Sequence, residues 1–178
     1  SADLEPCDMD TARLIASCIG EISKHRLEGN FQFCMAANAA ANIPFFPVAK
    51  AGEAAGFALG MENGELLQHL LQDCASLKNI STVFHDRMAN VLQDVQDLCI
   101  EGASDAGIDY LGIDSSINPS LSRNGSVALS IEQLDEIETF GGPGTVAAAA
   151  ALTTSIQSLS SVKLVGYCGL MLPLSEDV

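Results

Sequence analysis

Asp114, Ser115 and Ser116 directly follow the apolar run IDYLGI and have the residue types of a small polar site. A carboxylate placed there can bind a hard cation, orient a hydroxyl or act as a base. The alternative is a turn in which these side chains bond their own backbone. We take Asp114 and Ser115 as candidate catalytic residues.

Ser175, Glu176 and Asp177 follow the last apolar run in the same way. If that run neighbours IDYLGI in a sheet, Asp114, Glu176 and Asp177 converge, and converging carboxylates need a metal, a shared proton or a cationic ligand. Glu176 and Asp177 are therefore candidate catalytic residues. Asp114 with Glu176 is a candidate site for a divalent cation, the one cofactor that the sequence indicates. The alternative is a helix start capped by Ser175.

The stretch TFGGPGTVAAAAAL is a glycine-rich turn followed directly by a predicted helix of alanines. Its backbone N–H groups and the helix dipole suit an anion, with Gly142, Gly144 and Thr145 as the ligand-binding residues. Because the stretch lacks the Lys of a phosphate-binding loop for nucleoside triphosphates, it predicts a carboxylate or a single phosphate. The alternative is a turn that needs positive φ and lets the alanine helix pack closely.

The remaining polar side chains and thiols are weaker candidates for a functional site. Asn38 and Lys50, in the proline-containing loop, are further candidate ligand-binding residues, with Lys50 supplying a cation. The three histidines have no metal-ligand spacing, which disfavours zinc. Cys34 and Cys168 are the thiols nearest to predicted strand ends, and a buried, inert thiol is the alternative to a reactive one.

The elements that must position these residues alternate between helical and strand periodicity. The predicted elements are helices over 10–28, 66–77, 84 to 102 or 107, 126–137 and 145–158, and strands at 30–37, 56–61, 108–113 and 162–173. Such alternation predicts parallel β/α units in a single α/β domain over residues 1–178. Ligand sites in these folds collect at the carboxyl ends of the strands, which indicates segments 36–47, 114–125, 141–145 and 167–177.

Composition limits the class of protein. The formal net charge is −15 with 8 basic residues, which argues against nucleic acid as a partner. No apolar run is long enough to span a membrane, and no signal-peptide pattern opens the chain. The six cysteines are scattered without a CxxC pair, which is typical of a reducing compartment. We expect the cytoplasm or an organelle matrix.

The segments NIPFFPVA, GFALGMENGELL, DYLGIDSSINPSL, FGGPGTVAAAAAL and VGYCGLMLPLSED occur in this order. Together they resemble the Domain of Unknown Function 711 family, uncharacterised proteins related in fold to pyruvate formate-lyase. The resemblance implies part of a glycyl-radical-enzyme-like α/β barrel. It also implies the C-terminal portion of a longer chain, with the remaining N-terminal part as a partner. It implies no assigned reaction. KLVGYCG has no Arg where the glycyl radical signature requires one, so we expect no radical chemistry.

The leading hypothesis is an enzyme-like protein that binds a small anionic metabolite, a carboxylate or a phosphate. Two alternatives stay open: a non-catalytic metabolite sensor that uses the same pocket, and a structural subunit of a larger assembly. A homo-oligomer is compatible with each of them.

Overall fold

The computed structural model describes residues 9–26, 29, 33, 44–45, 48–49, 52–53, 55–173 and 176–177. Within them the chain has a mixed α/β fold. The helices are α1 (Met9–His25), α2 (Gly64–Leu71), α3 (Ile80–Val83), α4 (Ala89–Ala106), α5 (Val127–Ile131) and α6 (Thr145–Gln157). The strands are β1 (Pro44–Phe45), β2 (Val48–Ala49), β3 (Gly56–Gly60) and β4 (Asp109–Asp114).

The predicted helices are confirmed, with changes at their boundaries. The helix predicted from residue 84 begins as one turn of π-helix, Phe84–Met88, before it continues as α4. Gly107 ends α4 with a left-handed φ of 65°, and its N–H donates to the carbonyls of the last turn. The helix predicted over 126–137 is shorter, because α5 ends at Ile131 and turns follow it.

The sheet is parallel, as predicted. β3 pairs with β4 from Gly56 opposite Asp109 to Gly60 opposite Asp114, with a register shift between Phe57 and Ala58. β1 and β2 form a separate antiparallel pair. The described residues form no closed barrel. The strand predicted at 30–37 lies outside the described residues, apart from Phe33.

One apolar core joins the sheet to α2–α6. Its largest fully buried side chain is Phe84, and most of its other members are Leu and Ile, as a sequence with 5% aromatic residues requires. By contrast, α1 buries none of its residues. No helix within the described ranges is both long and apolar enough to cross a membrane. The core therefore holds β3 through Leu59 and β4 through Ile113.

Candidate functional site

The carboxyl ends of β3 and β4 meet a third extended segment, 163–171. This segment runs parallel to the chain around β4 and bridges it at two places, Ile113 with Leu164 and Ile117 with Leu170. Three parallel segments therefore share one edge, which we call the strand-end edge. Ligand sites of parallel sheets form at such edges.

Asp114 lies at the centre of this edge and is only 1% exposed. Its Oδ1 accepts hydrogen bonds from Ser116 N (3.1 Å), Ser116 Oγ (2.6 Å) and Cys168 N (3.0 Å). Its Oδ2 accepts one from Tyr167 N (3.1 Å). The carboxylate therefore joins β4 to the third segment between the two bridges. Buried polar groups require such partners, and here four donors meet one side chain.

Ser115 follows Asp114 and is fully buried. Its Oγ forms no hydrogen bond of ordinary geometry. The hydroxyl is adjacent to the Cys168 thiol, itself buried. Burial raises the pKa of Cys168, the Ser115 N–H and hydroxyl act in the opposite direction, and the Asp114 charge adds to the rise. The thiol is therefore neutral near pH 7, and because a neutral thiol is a weak acceptor the Ser115 hydroxyl lacks a strong partner.

We call Asp114, Ser115, Ser116, Tyr167 and Cys168 together the strand-end cluster. Asn63, which the sequence reasoning missed, supports it from β3. This residue is 2% exposed, and its Nδ2 donates to Ser116 O at 3.0 Å. Its position directly after the predicted strand GFALGM was the signal that could have identified it.

The stretch Thr139–Thr145, which we call the glycine turn, uses the N–H groups of Gly141 and Gly142 internally, while Phe140 N donates to Glu132 Oε1 at 2.7 Å. Gly141 N donates to Thr145 Oγ1 at 3.0 Å, and Gly142 N donates to Thr139 O at 2.9 Å. Gly144 has φ 93°, and a Cβ there would lie 2.6 Å from Ile137 Cδ1. Both parts of the packing alternative, positive φ and close approach, are therefore present at this turn.

Asp177, which was predicted to converge with Asp114 and Glu176, bonds to the start of α5. Its Oδ2 accepts from Val127 N (3.1 Å) and Ala128 N (3.0 Å), so it caps the start of α5. Ser126 caps the same helix through its Oγ, which accepts from Leu129 N at 3.0 Å.

Glu176 is exposed. Across the described ranges, no three His, Cys, Asp or Glu side chains come together as a metal site. The cation site at Asp114 and Glu176 stays a prediction. Asn38 and Lys50 lie outside the described residues.

One protein-family model, described as Uncharacterised ACR (DUF711), matches residues 2–178. No curated protein and no solved structure matches the chain. The relation in fold to pyruvate formate-lyase stays a prediction. Because the family model spans nearly the whole sequence, the chain belongs to the DUF711 family.

Proposed function

We propose that the protein binds a small anionic metabolite, a carboxylate or a single phosphate, at the strand-end edge, as an enzyme-like α/β protein without glycyl radical chemistry. The proposal names a site and a ligand class. It assigns no reaction, because the reaction class depends on the identity of the bound ligand.

The observation that carries the proposal is the Ser115 hydroxyl. It is fully buried at the carboxyl end of β4, and its neighbour, the neutral Cys168 thiol, is only a weak acceptor. Leaving a buried donor without an acceptor costs about 1–3 kcal/mol. A ligand oxygen that accepts from Ser115 Oγ would recover this energy, so the site is arranged for a hydrogen-bond acceptor. Carboxylate and phosphate oxygens are strong acceptors.

The start of α6 is the second candidate contact for the anion. The positive end of a helix dipole and its first N–H groups favour an anion. In this proposal Gly142, Gly144 and Thr145 hold the turn that aims the first N–H groups of α6.

Asp114 acts in this proposal as a positioning residue. Its two oxygens accept from four donors within the protein, and these bonds place Cys168 beside Ser115. Glu176 is the exposed carboxylate of the predicted set, and it is the residue that we propose as an acid/base group or cation ligand. Asp177 has a capping role at the start of α5.

A thermal-shift panel tests the ligand. Small mono- and dicarboxylates and inorganic phosphate are titrated against the protein. At 100 Kd a ligand adds about 2.7 kcal/mol to the stability of the protein. For a chain of this size that raises Tm by roughly 5–10 °C. Ser115→Ala should remove the shift, and Ser104→Ala, at an exposed position in α4, should keep it. A blank panel, or an unchanged shift in Ser115→Ala, contradicts the proposal.

A parallel titration with Mg²⁺, Mn²⁺ and Zn²⁺ tests the cation site. Glu176→Gln should abolish any metal-dependent stabilisation, while Glu101→Gln on the surface of α4 should leave it unchanged. Metal binding that survives Glu176→Gln would place the cation elsewhere.

The second candidate is a non-catalytic metabolite sensor at the same site. It is favoured by the chemistry around Ser115: four donors of the protein already bond to Asp114, and the Cys168 thiol is neutral because burial raises its pKa. A sensor is stabilised by its ligand without turnover. Incubating the ligand that gives the largest shift with the protein, and following it by NMR, separates the two functions.

The cellular compartment and the larger fold are proposed on weaker support. The free thiols Cys18, Cys74, Cys99 and Cys168 favour the cytoplasm or an organelle matrix. The motif resemblance supports a glycyl-radical-enzyme-like α/β barrel.

A further inference from the structure

We infer that Gly112 is a positioning residue of the strand-end cluster, because it permits a β-bulge in β4 that decides which way Asp114 and Ser115 face. The inference rests on the proposed function in one respect only, that the ligand contacts Ser115. The facing of the two side chains can be measured without a ligand.

The bulge lies where the pairing of β3 with β4 changes register. Phe57 is opposite Tyr110, and the next residue of β3, Ala58, is opposite Gly112. Leu111 is therefore an extra residue in β4. Bulges re-aim the side chains that follow them, and they are common next to active sites.

The side chains before and after the bulge show this effect. In a regular strand, residues three positions apart lie on opposite faces. The Tyr110 ring contacts the Phe57 ring, with centroids 5.9 Å apart, while Ile113 is opposite Leu59 and both pack in the core. Because Phe57 and Leu59 are two residues apart on β3, they share a face. Tyr110 and Ile113 therefore share that face too, and the facing of β4 is reversed between them.

The reversal determines the arrangement of the strand-end cluster. Ser115 lies two residues from Ile113 and two from Ile117, so it takes the same face as these fully buried core residues. Asp114 and Ser116 take the other face, where the Ser116 hydroxyl donates to the carboxylate at 2.6 Å. Regular pairing along the whole of β4 would instead turn the carboxylate to the core face and the Ser115 hydroxyl away from it.

The second residue of the bulge has to be glycine. Gly112 has φ 133°, a backbone conformation that residues with side chains rarely adopt. A Cβ there would lie 2.6 Å from Lys163 O and 2.7 Å from Val165 Cγ1. Lys163 O also accepts from Ile113 N at 2.9 Å, so it cannot withdraw without loss of that bond. A side chain at position 112 therefore opposes both the bulge and the approach of the third segment.

Amide proton chemical shifts, measured by NMR, test this role. The N–H groups of Tyr167 and Cys168 report the facing of Asp114, because they donate to its carboxylate. Their protons lie downfield while these bonds exist, and we expect both to move upfield in Gly112→Ala. A loss of stability alone does not move the shifts of the folded state, so the measurement separates positioning from general destabilisation.

The matched control is Gly102→Ala, whose new Cβ meets nothing within 4 Å. It should leave both amide protons downfield. A Gly112→Ala protein that folds with the protons of Tyr167 and Cys168 in place overturns the inference.

Deletion of Leu111 keeps the test decisive if Gly112→Ala does not fold. The deletion removes the extra residue, so β4 pairs regularly and the side chains after Gly112 keep their present faces. Both amide protons should therefore stay downfield. A deletion that unfolds the protein, or that moves both protons upfield, overturns the inference.

The positioning role and the ligand site fail separately. A blank thermal-shift panel, with both amide protons displaced in Gly112→Ala, rejects the ligand site and keeps the positioning role. A ligand shift that depends on Ser115, with both protons in place in Gly112→Ala, keeps the site and rejects the positioning role.

Discussion

The strand-end cluster and the glycine turn are both held by hydrogen bonds from backbone N–H groups, yet they use these groups in opposite ways. In the glycine turn, Gly141 and Gly142 donate to acceptors within four residues. In the strand-end cluster, Tyr167 and Cys168 donate to Asp114, which lies 53 and 54 residues away. The first is a local turn, and the second is a tertiary connection.

This difference changes what each region can do. The glycine turn satisfies much of its own hydrogen bonding and serves to start α6 at a fixed place. The strand-end cluster concentrates its donors on one carboxylate and leaves the Ser115 hydroxyl unpaired. Unpaired buried groups in native proteins call for an explanation, and function is one of the usual ones. The following predictions test whether the two regions differ in this way.

The largest effect is expected for Asp114→Ala, which leaves the buried N–H groups of Ser116, Tyr167 and Cys168 without their acceptor. Loss of stability should be about 3–5 kcal/mol in urea unfolding, because each buried donor left unpaired costs about 1–3 kcal/mol. Asp94→Ala, at an exposed site on α4, is the control and should stay within about 0.5 kcal/mol. A loss under about 1 kcal/mol for Asp114→Ala would show that the cluster is not a tertiary connection.

Gly144→Ala probes the glycine turn itself. The new Cβ would meet Ile137 Cδ1 at 2.6 Å and the residue would keep φ 93°, so we expect a loss of about 2 kcal/mol. Gly102→Ala in α4 is the matched control, because its Cβ meets nothing within 4 Å. That control should stabilise the protein by about 0.5–1 kcal/mol. If both substitutions have the same sign, the turn is not constrained as described.

Thr145→Val removes the acceptor of Gly141 N while preserving the shape of a nearly buried side chain (8% exposed). The expected loss is about 1 kcal/mol, the usual net value of one hydrogen bond. Thr145→Ser keeps the oxygen and should recover most of it. If Thr145→Val and Thr145→Ser have the same Tm in thermal unfolding, the hydroxyl of Thr145 has no part in closing the turn.

Ser115→Ala should leave the unliganded protein unchanged or stabilise it by up to about 1 kcal/mol, since an unpaired buried hydroxyl is removed. The same variant should lose the ligand shift. Stability that rises while binding falls is the signature of a functional residue. A clear destabilisation in chemical unfolding would mean that Ser115 already has a structural partner.

The smallest effect concerns pH. Burial raises the folded-state pKa of Cys168 above the ordinary thiol value of 9.0. The neutral thiol therefore contributes stability that is fully present below pH 9 and is lost as pH rises through the folded-state pKa. Cys168→Ala should reduce the fall in stability between pH 8 and 10.5, with Cys74 accounting for part of what remains. The cost of Gly144→Ala should be the same at both pH values, because no residue of the glycine turn titrates in this range.

Local sequence signals were sufficient for much of the fold. The apolar periodicity predicted α2, α4 and α6, and the runs GFALGM and IDYLGI predicted β3 and β4. They were sufficient because helix periodicity, the glycine signals and short buried strands depend on neighbours within a few residues. The same signals missed the π-helical turn at Phe84–Met88 and the early end of α5, where tertiary packing adjusts the boundary.

The sequence by itself determined the parallel α/β class and the strand-end position of Asp114 and Ser115, and for the glycine turn it left an anion site and a packing turn both open. Only the tertiary structure decided that Asp114 fastens Tyr167 and Cys168, that Asp177 caps α5, and that the Ser115 hydroxyl is enclosed without a partner. The physical reason is distance along the chain. Hydrogen bonds between residues about 50 positions apart depend on how the sheet and helices pack, and no local pattern of residues specifies which groups the packing will bring together.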